Sequence, residues 1–423
     1  MPGGRTMQKR EITRRKFLGA SAAGAVLLSA GMLTPQSVLG ANDMIRIGVI
    51  GVGDRMGSLM GSIQKLSKDM NCRITGVCDI YTVNRDKAVQ KITEWYGTAP
   101  KVYARHEDML ADNDIDAVII ATPDFTHSTL LQHAIKAGKH TYCEKPTANT
   151  LEDANAVLAV AEAHPEVIVQ VGTQRRSESD HYAANDFIKT GGLGTISRVD
   201  VVWNYFGPRW QRKDSDGVKA ADVDWKQFTL GRDKRPFDSR LFREWRLWRP
   251  FSTGIPCQWM SHLTDAVHMV TGTKYPKSCV AQGGVFIWKD GRENADMVQA
   301  LYEYPEGFIL NYSTSFGTDT GNMLRVCGTK GALYSGEFDD KGWRANGDGG
   351  GKDIRLKEEV PIKGEKMSGH MENWIESIRA GKQPRATVQH GYEHSIALIM
   401  AVRAMDTGKK QFFDPEKRMI TSA

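Results

Sequence analysis

Between Met44 and Val171 the chain repeats one pattern, a short apolar run followed by a turn and a helical stretch, and this repetition restricts the fold more than any other feature. Apolar runs occur at Met44 to Gly51, Ile74 to Cys78, Lys101 to Tyr103, Asp116 to Pro123, His140 to Cys143 and Val167 to Val171, bounded mostly by Gly, Pro and Asp. Helical stretches are expected at Asn84 to Tyr96, Glu107 to Leu110, His127 to Ala137 and Leu151 to Ala163. The expected strands are apolar throughout rather than alternating, so both faces must be covered. That combination predicts a doubly wound α/β domain with a parallel sheet, whose ligands bind at the carboxyl ends of the strands.

The turn after the first strand reads Gly51-Val52-Gly53-Asp54-Arg55-Met56-Gly57 and opens a helix. A Cβ there would block the tight bend and hold a pyrophosphate away from the N–H groups at the helix N-terminus. The spacing is one residue longer than the usual dinucleotide fingerprint, and Met56 stands where the third small residue is expected. Asp79 ends the next strand, where a carboxylate can accept from a ribose diol. Gly51, Gly53, Asp54, Arg55, Met56 and Asp79 are therefore the expected start of a dinucleotide site. Asp79 favours NAD because a carboxylate repels a 2′-phosphate, while Arg85 is near enough in sequence to leave NADP open.

Two further stretches stand at the ends of later strands, Thr122-Pro123-Asp124-Phe125-Thr126-His127 and Glu144-Lys145-Pro146. With the Gly-rich turn, in this order and spacing, they resemble the family of glucose-fructose oxidoreductase, inositol dehydrogenase and MocA, from Met44 essentially to the C-terminus. The resemblance implies that Lys145 lies beside nicotinamide and substrate, and that Thr122, Pro123, His127, Glu144 and Gln174 contribute to the cofactor site. A cationic Lys145 makes chemical sense beside the hydroxyl that loses hydride, because it can stabilise developing alkoxide character.

The family's second motif is D-x-x-x-H-x-x-D, which falls here on Gln258, His262 and Asp265. His262 and Asp265 are thereby expected to be catalytic, with His262 moving the hydroxyl proton. Gln258 replaces the first aspartate; it can hydrogen-bond a sugar hydroxyl in both directions but cannot hold a charge. In a helix His262, Asp265 and His268 would be neighbours at successive three-residue steps; His268 is read as a core histidine. No further ligand completes a metal set, so no metal is expected. Arg175 and Tyr205 join Gln258 and His262 as expected substrate contacts, Arg176 is read as solvated, and the Trp- and Arg-rich stretches 203–210 and 243–249 remain unassigned.

The second half alternates in the manner of strands at Ile196 to Tyr205, Ser278 to Trp288, Met297 to Tyr304, Phe308 to Phe316, Leu324 to Gly328 and Ala332 to Phe338. This predicts an α+β domain on an open, mainly antiparallel sheet, whose free face makes a homo-dimer or homo-tetramer in the resembled family. The segment 345–352 reads as a Gly-rich flexible loop. The expected organisation is a leader at 1–40, a Rossmann domain at 44–174, a substrate and oligomerisation domain at 175–390, and a closing helix and tail at 391–423 that return to the first domain.

The leader carries Thr13-Arg14-Arg15-Lys16-Phe17-Leu18 before an uncharged Ala- and Gly-rich run, and it resembles a twin-arginine export signal. Such export carries folded proteins, which implies passage through the twin-arginine machinery to the periplasm with a tightly held cofactor already loaded. The run is too short for a stable membrane span, and a retained anchor stays open beside cleavage. The leader also accounts for most of the formal charge of +6, and the nearly neutral remainder lacks the basic field that nucleic acid requires. The six cysteines form no C-x-x-C pair and are expected mostly as free core thiols. Three readings follow: a dehydrogenase or reductase of sugars, glycosides or polyols; a redox-neutral glycosidase or epimerase-like enzyme with NAD held throughout; and a non-catalytic sugar-binding relative.

Overall fold

The computed structural model describes residues 43–338, 341–347 and 354–423, so the leader and its export reading lie outside the described residues. Six strands, β1 (Ile45–Ile50), β2 (Cys72–Cys78), β3 (Lys101–Tyr103), β4 (Ala117–Ile120), β5 (His140–Cys143) and β6 (Val169–Val171), form a sheet ordered β3-β2-β1-β4-β5-β6. Every pairing in it is parallel. The apolar runs are explained by two separate cores. Ile119 joins Met56 and Trp374 on one face of β4, while Val118 and Ile120 join Leu131 and Leu158 on the other. A polar residue at any of these positions would be buried without a partner. The strand order reverses between β1 and β4, and the crevice outside their carboxyl ends is where such sheets bind ligands.

The second sheet has ten strands: β7 (Ile196–Val202), β9 (Ser278–Gly284), β10 (Met297–Glu303), β11 (Ile309–Ser315), β13 (Met323–Gly328), β14 (Gly331–Tyr334), β15 (Arg344–Asn346), β16 (Val360–Pro361), β17 (Gln411–Asp414) and β18 (Met419–Ser422). Their order is β16-β15-β14-β13-β7-β11-β10-β9-β17-β18, and only the β7–β11 pairing among them is parallel. Strand β10 shows the cause of its one-sided burial: Val298, Ala300 and Tyr302 point into the core, and Gln299 and Leu301 point away. The helices Ser261–Thr271 and Val388–Thr407 belong to the covered side. The open side leaves Val280, Leu301 and Ile309 on adjacent strands 41–48% exposed.

Three expectations for this half need correction. The run to Trp288 leaves the ladder at Gly284, because the Asp296 carboxylate accepts the N–H groups of Phe286, Ile287 and Trp288 at 2.7–2.9 Å in place of strand partners. The Gly-rich segment begins in strand β15, where Ala345 pairs with Leu333; 348–353 lies outside the described residues. The tail does not lie on the first domain alone, because β17 pairs with β9 and extends the second sheet.

The segment 205–228, which starts within the first of the two unassigned stretches, lies across the carboxyl edge of the parallel sheet as a roof. Tyr205–Phe206 (β8) pairs with Gly317–Thr318 (β12), Val223 bridges Tyr81, and the Asp224 N–H donates to the Ile80 carbonyl at 2.9 Å. Phe228 meets Phe125 edge-on at 5.6 Å, which anchors the roof over the loop after β4.

Candidate active site

Beneath this roof runs a cleft of about 1520 Å³, larger than the roughly 300–1,000 Å³ of a single small-molecule site and sufficient for a long cofactor plus a second ligand. Its outer part is built on the loops after β1 and β2. Gly51 has φ +79°, and a Cβ there would stand 2.5 Å from Thr122 Cγ2; only glycine suits both conditions. A Cβ on Gly53 would meet nothing within 4 Å, so this residue borders open space on the cleft wall at the start of the helix, where a phosphate can approach the helix N–H groups. The residues thus fit a dinucleotide pyrophosphate.

Asp79 ties the two loops together by accepting from the Val52 N–H at 2.6 Å and the Tyr81 N–H at 2.7 Å. Burial pushes its carboxyl up to about 6, against the pull of those backbone donors. It still lines the cleft, with lone pairs for a ribose diol. Asn84 lines the cleft beside it, whereas Arg85 stands by Asp86 at 3.6 Å.

Other expected cofactor residues are committed to protein partners. Asp54 binds Arg212 of the roof at 2.6 Å, and Arg55 Nε donates to Glu144 at 2.7 Å. Gly172 leaves the space that Glu144 occupies, since a Cβ there would stand 2.7 Å from its carboxylate. Thr122, Pro123 and Gln174 line the cleft. His127 also borders it, but its ring nitrogens lie 2.8 Å from the carbonyls of Thr122 and Pro146, so it braces the β4 loop against the Lys145–Pro146 turn, whose peptide is cis. Met56 is a correction: its side chain is fully buried in the core below the sheet, because a helix opening on β1 must turn one face inward.

At the inner end Lys145 Nζ donates to the Gln258 carbonyl at 3.0 Å and the Cys257 carbonyl at 3.4 Å. Burial pushes this amine down from its ordinary value, with Asp124 and Glu144 opposing. The Gln258 amide bridges two charges: its Nε2 donates to both Asp124 oxygens at 2.7 Å, and its Oε1 accepts from Arg246 Nε at 2.9 Å. Asp124 is 3% exposed and accepts also from the Ser252 hydroxyl at 2.7 Å. The carboxylate missing at position 258 is therefore supplied from the loop after β4, by a residue that the sequence displayed in Thr122-Pro123-Asp124 but gave no role.

His262 borders the same end of the cleft, and its ring has no hydrogen-bond partner among the described residues, only the edge of Trp203 at 6.1 Å. Burial, then the charges of Lys145 and Arg175, push it well below the ordinary histidine value, so it is a neutral base at pH 7. A five-residue π-helical turn, Pro256–Met260, precedes its helix and brings the Gln258 and Cys257 carbonyls to Lys145.

Asp265 does not share this surface. It is 1% exposed and accepts from Arg176 Nε at 2.9 and 3.0 Å, since three residues further along the helix the chain faces the core. Its expected catalytic role is corrected to that of a buried ion pair, and Arg176 is not solvated. Asp265→Ala should leave that guanidinium buried and unpaired, lowering stability by about 3–5 kcal/mol in urea unfolding; an unchanged midpoint would refute the pairing. Arg175 is likewise redirected, to Glu337 at 2.8 Å and the face of Trp203 at 5.6 Å. Tyr205 lines the cleft as expected. His268 bonds the Tyr304 hydroxyl at 2.7 Å within the core.

Comparison with known proteins gives two matches. Residues 45–173 match the oxidoreductase family with an NAD-binding Rossmann fold, and residues 227–334 match the GFO/IDH/MocA C-terminal domain. An inositol 2-dehydrogenase/D-chiro-inositol 3-dehydrogenase of Shouchella clausii is 33% identical over 139 residues, 32% of this chain and 38% of that protein. A glycosyl hydrolase family 109 protein 2 of Shewanella sp. is 28% identical over 199 residues, 46% of this chain and 42% of that protein. The chain spans less than half the length of these curated relatives. Among solved structures, the aldose-aldose oxidoreductase from Caulobacter crescentus complexed with glycerol superposes with TM-score 0.66 at 18% identity, covering 88% of this chain and all (100%) of that one. A levoglucosan dehydrogenase in complex with NADH and levoglucosan gives 0.64 at 16% identity, covering 87% and 98%. At such identities the likeness is one of fold.

Proposed function

The chain belongs to the GFO/IDH/MocA oxidoreductase family, with its NAD-binding Rossmann domain and C-terminal domain, and from that membership we propose that it moves hydride between a sugar or polyol hydroxyl carbon and nicotinamide. The observation that carries the reading is the meeting of Lys145 with a neutral His262 at the inner end of a cleft whose outer end is the Gly51, Gly53 and Asp79 cradle. Bound there, NAD supplies the hydride acceptor. Lys145 Nζ has three N–H donors, two of them directed at the Cys257 and Gln258 carbonyls; the third meets the substrate hydroxyl oxygen and stabilises its negative charge. A ring nitrogen of His262, without a hydrogen-bond partner among the described residues, takes the hydroxyl proton. Asp79 on the cleft wall favours NAD over NADP, because a carboxylate repels a 2′-phosphate.

The roof supports tight retention of the cofactor, because Arg212 crosses the cleft to Asp54 at the helix start. This feature also favours a second reading, redox-neutral cleavage or epimerisation of a glycoside in which NAD never leaves. Export through the twin-arginine route fits the leader, and association into a dimer or tetramer fits the exposed Val280, Leu301 and Ile309 face. The test is to denature purified protein and identify released dinucleotide by mass spectrometry, then follow nicotinamide absorbance with sugars and glycosides. Net NADH formation is the expected result. Glycoside cleavage without it would select the second reading, and absence of any bound or bindable dinucleotide would overturn both.

A further inference from the structure

The wall of the cleft opposite the parallel sheet is crowded with arginines, and most have carboxylate partners: Arg212 with Asp54, Arg243 with Asp214, Arg235 with Asp233. Arg246 differs. Its Nε donates to the neutral Gln258 amide at 2.9 Å, its plane lies over Trp245 at 4.1 Å, and its two terminal nitrogens have no acceptor among the described residues. It is half-buried and borders the cleft. Arg209, at the mouth, is also without a carboxylate among the described residues and lies over Tyr205 at 5.0 Å and Trp259 at 5.6 Å.

A guanidinium removed from water and bonded to no carboxylate is costly, and its planar fork matches a carboxylate with two parallel hydrogen bonds. Resting on the hydride-transfer reading above, we propose that the substrate is a sugar acid whose carboxylate is held by Arg246, with Arg209 attracting it at the entrance. Arg246 grips the side-chain oxygen of Gln258 and Lys145 grips the main-chain oxygen of the same residue, so the two cations stand about one residue apart. A single sugar ring spans that interval, with its reacting hydroxyl on Lys145 and its carboxylate on Arg246.

The test compares matched pairs on the protein as purified with its cofactor: glucuronate against glucose, galacturonate against galactose, mannuronate against mannose, and glucose 6-phosphate as a second anion, each by calorimetry. A charge-assisted bidentate contact predicts that in at least one pair the acid binds about 10- to 100-fold more tightly than its neutral partner, a preference that falls as salt is raised. Arg246→Gln should abolish the preference of acid over neutral partner together with its salt dependence, and Arg209→Gln should reduce it partly. Equal binding within all three pairs overturns the proposal, as does a phosphate ester that binds more tightly than every acid. Should R246Q fail to fold, the pairwise comparison and its salt dependence in the unmodified protein still decide. Preferential acid binding with no change in nicotinamide absorbance would sink the hydride-transfer reading alone; oxidation of neutral sugars with no acid preference would sink this one alone.

Discussion

Lys145→Met lowers kcat roughly 10³-fold, about 4 kcal/mol of transition-state stabilisation, while the dinucleotide remains bound. The size follows from what is removed: the amine is buried, its partners at 3.0 and 3.4 Å are neutral carbonyls, and a positive charge in such a low-dielectric setting acts strongly on a developing alkoxide. Methionine preserves most of the side-chain volume, so loss of folding is not the expected outcome. The measurement pairs steady-state rates with mass-spectrometric quantification of dinucleotide per chain. A rate within tenfold of the unmodified enzyme would remove Lys145 from the chemistry, and loss of dinucleotide would make it a cofactor ligand instead. Asp124 raises the charge state of Lys145 from nearby, so Asp124→Asn should give a smaller loss and move the pH–rate profile, without abolishing turnover.

Acid should unfold the protein well above the carboxylate range. Burial holds His181 and His268 down at about 3, and His140, His370 and His390 at about 4. An exposed histidine in the unfolded chain titrates near 6.5, so between that value and the folded values the unfolded state binds more protons. Stability is therefore intact above about pH 6.5 and falls as pH drops through and below it. At pH 5 each such histidine costs about 2 kcal/mol, and five together about 10, comparable to the whole net stability of a domain. Asp79, raised by burial to about 6, works in the opposite direction, by only about 1.4 kcal/mol at pH 5. Urea midpoints measured from pH 8 to pH 5 should drop steeply below pH 6.5; a flat profile would mean that these rings are hydrated or protonated in the native state.

What was legible in the sequence was what lies contiguously in it. The strands β1, β4 and β5 announced themselves because burial on both faces demands unbroken apolar runs, and Gly51, Asp79 and Lys145 stand at their ends for reasons that a single turn explains. His262 could be placed on the cleft from its motif. The motif could not place Asp265 in the core, because its destination depends on Arg176, 89 residues earlier in the chain. Asp124 was on display yet unassigned, since its role exists only once Gln258 arrives from 134 residues away. The roof was obscure for a related reason: its tryptophans and arginines have no period, and their order comes from contacts with the edge of another domain's sheet.

Gln258 separates charges as an insulator separates conductors. An aspartate at that position would neutralise Arg246 and repel Asp124, and both would then be spent on the protein. A neutral amide lets the chain hold one unit of each sign on either side of a single residue without either discharging the other. The inner end of the cleft thus keeps a standing internal dipole, with the Asp124 carboxylate at one end of the Gln258 amide and the Arg246 guanidinium at the other.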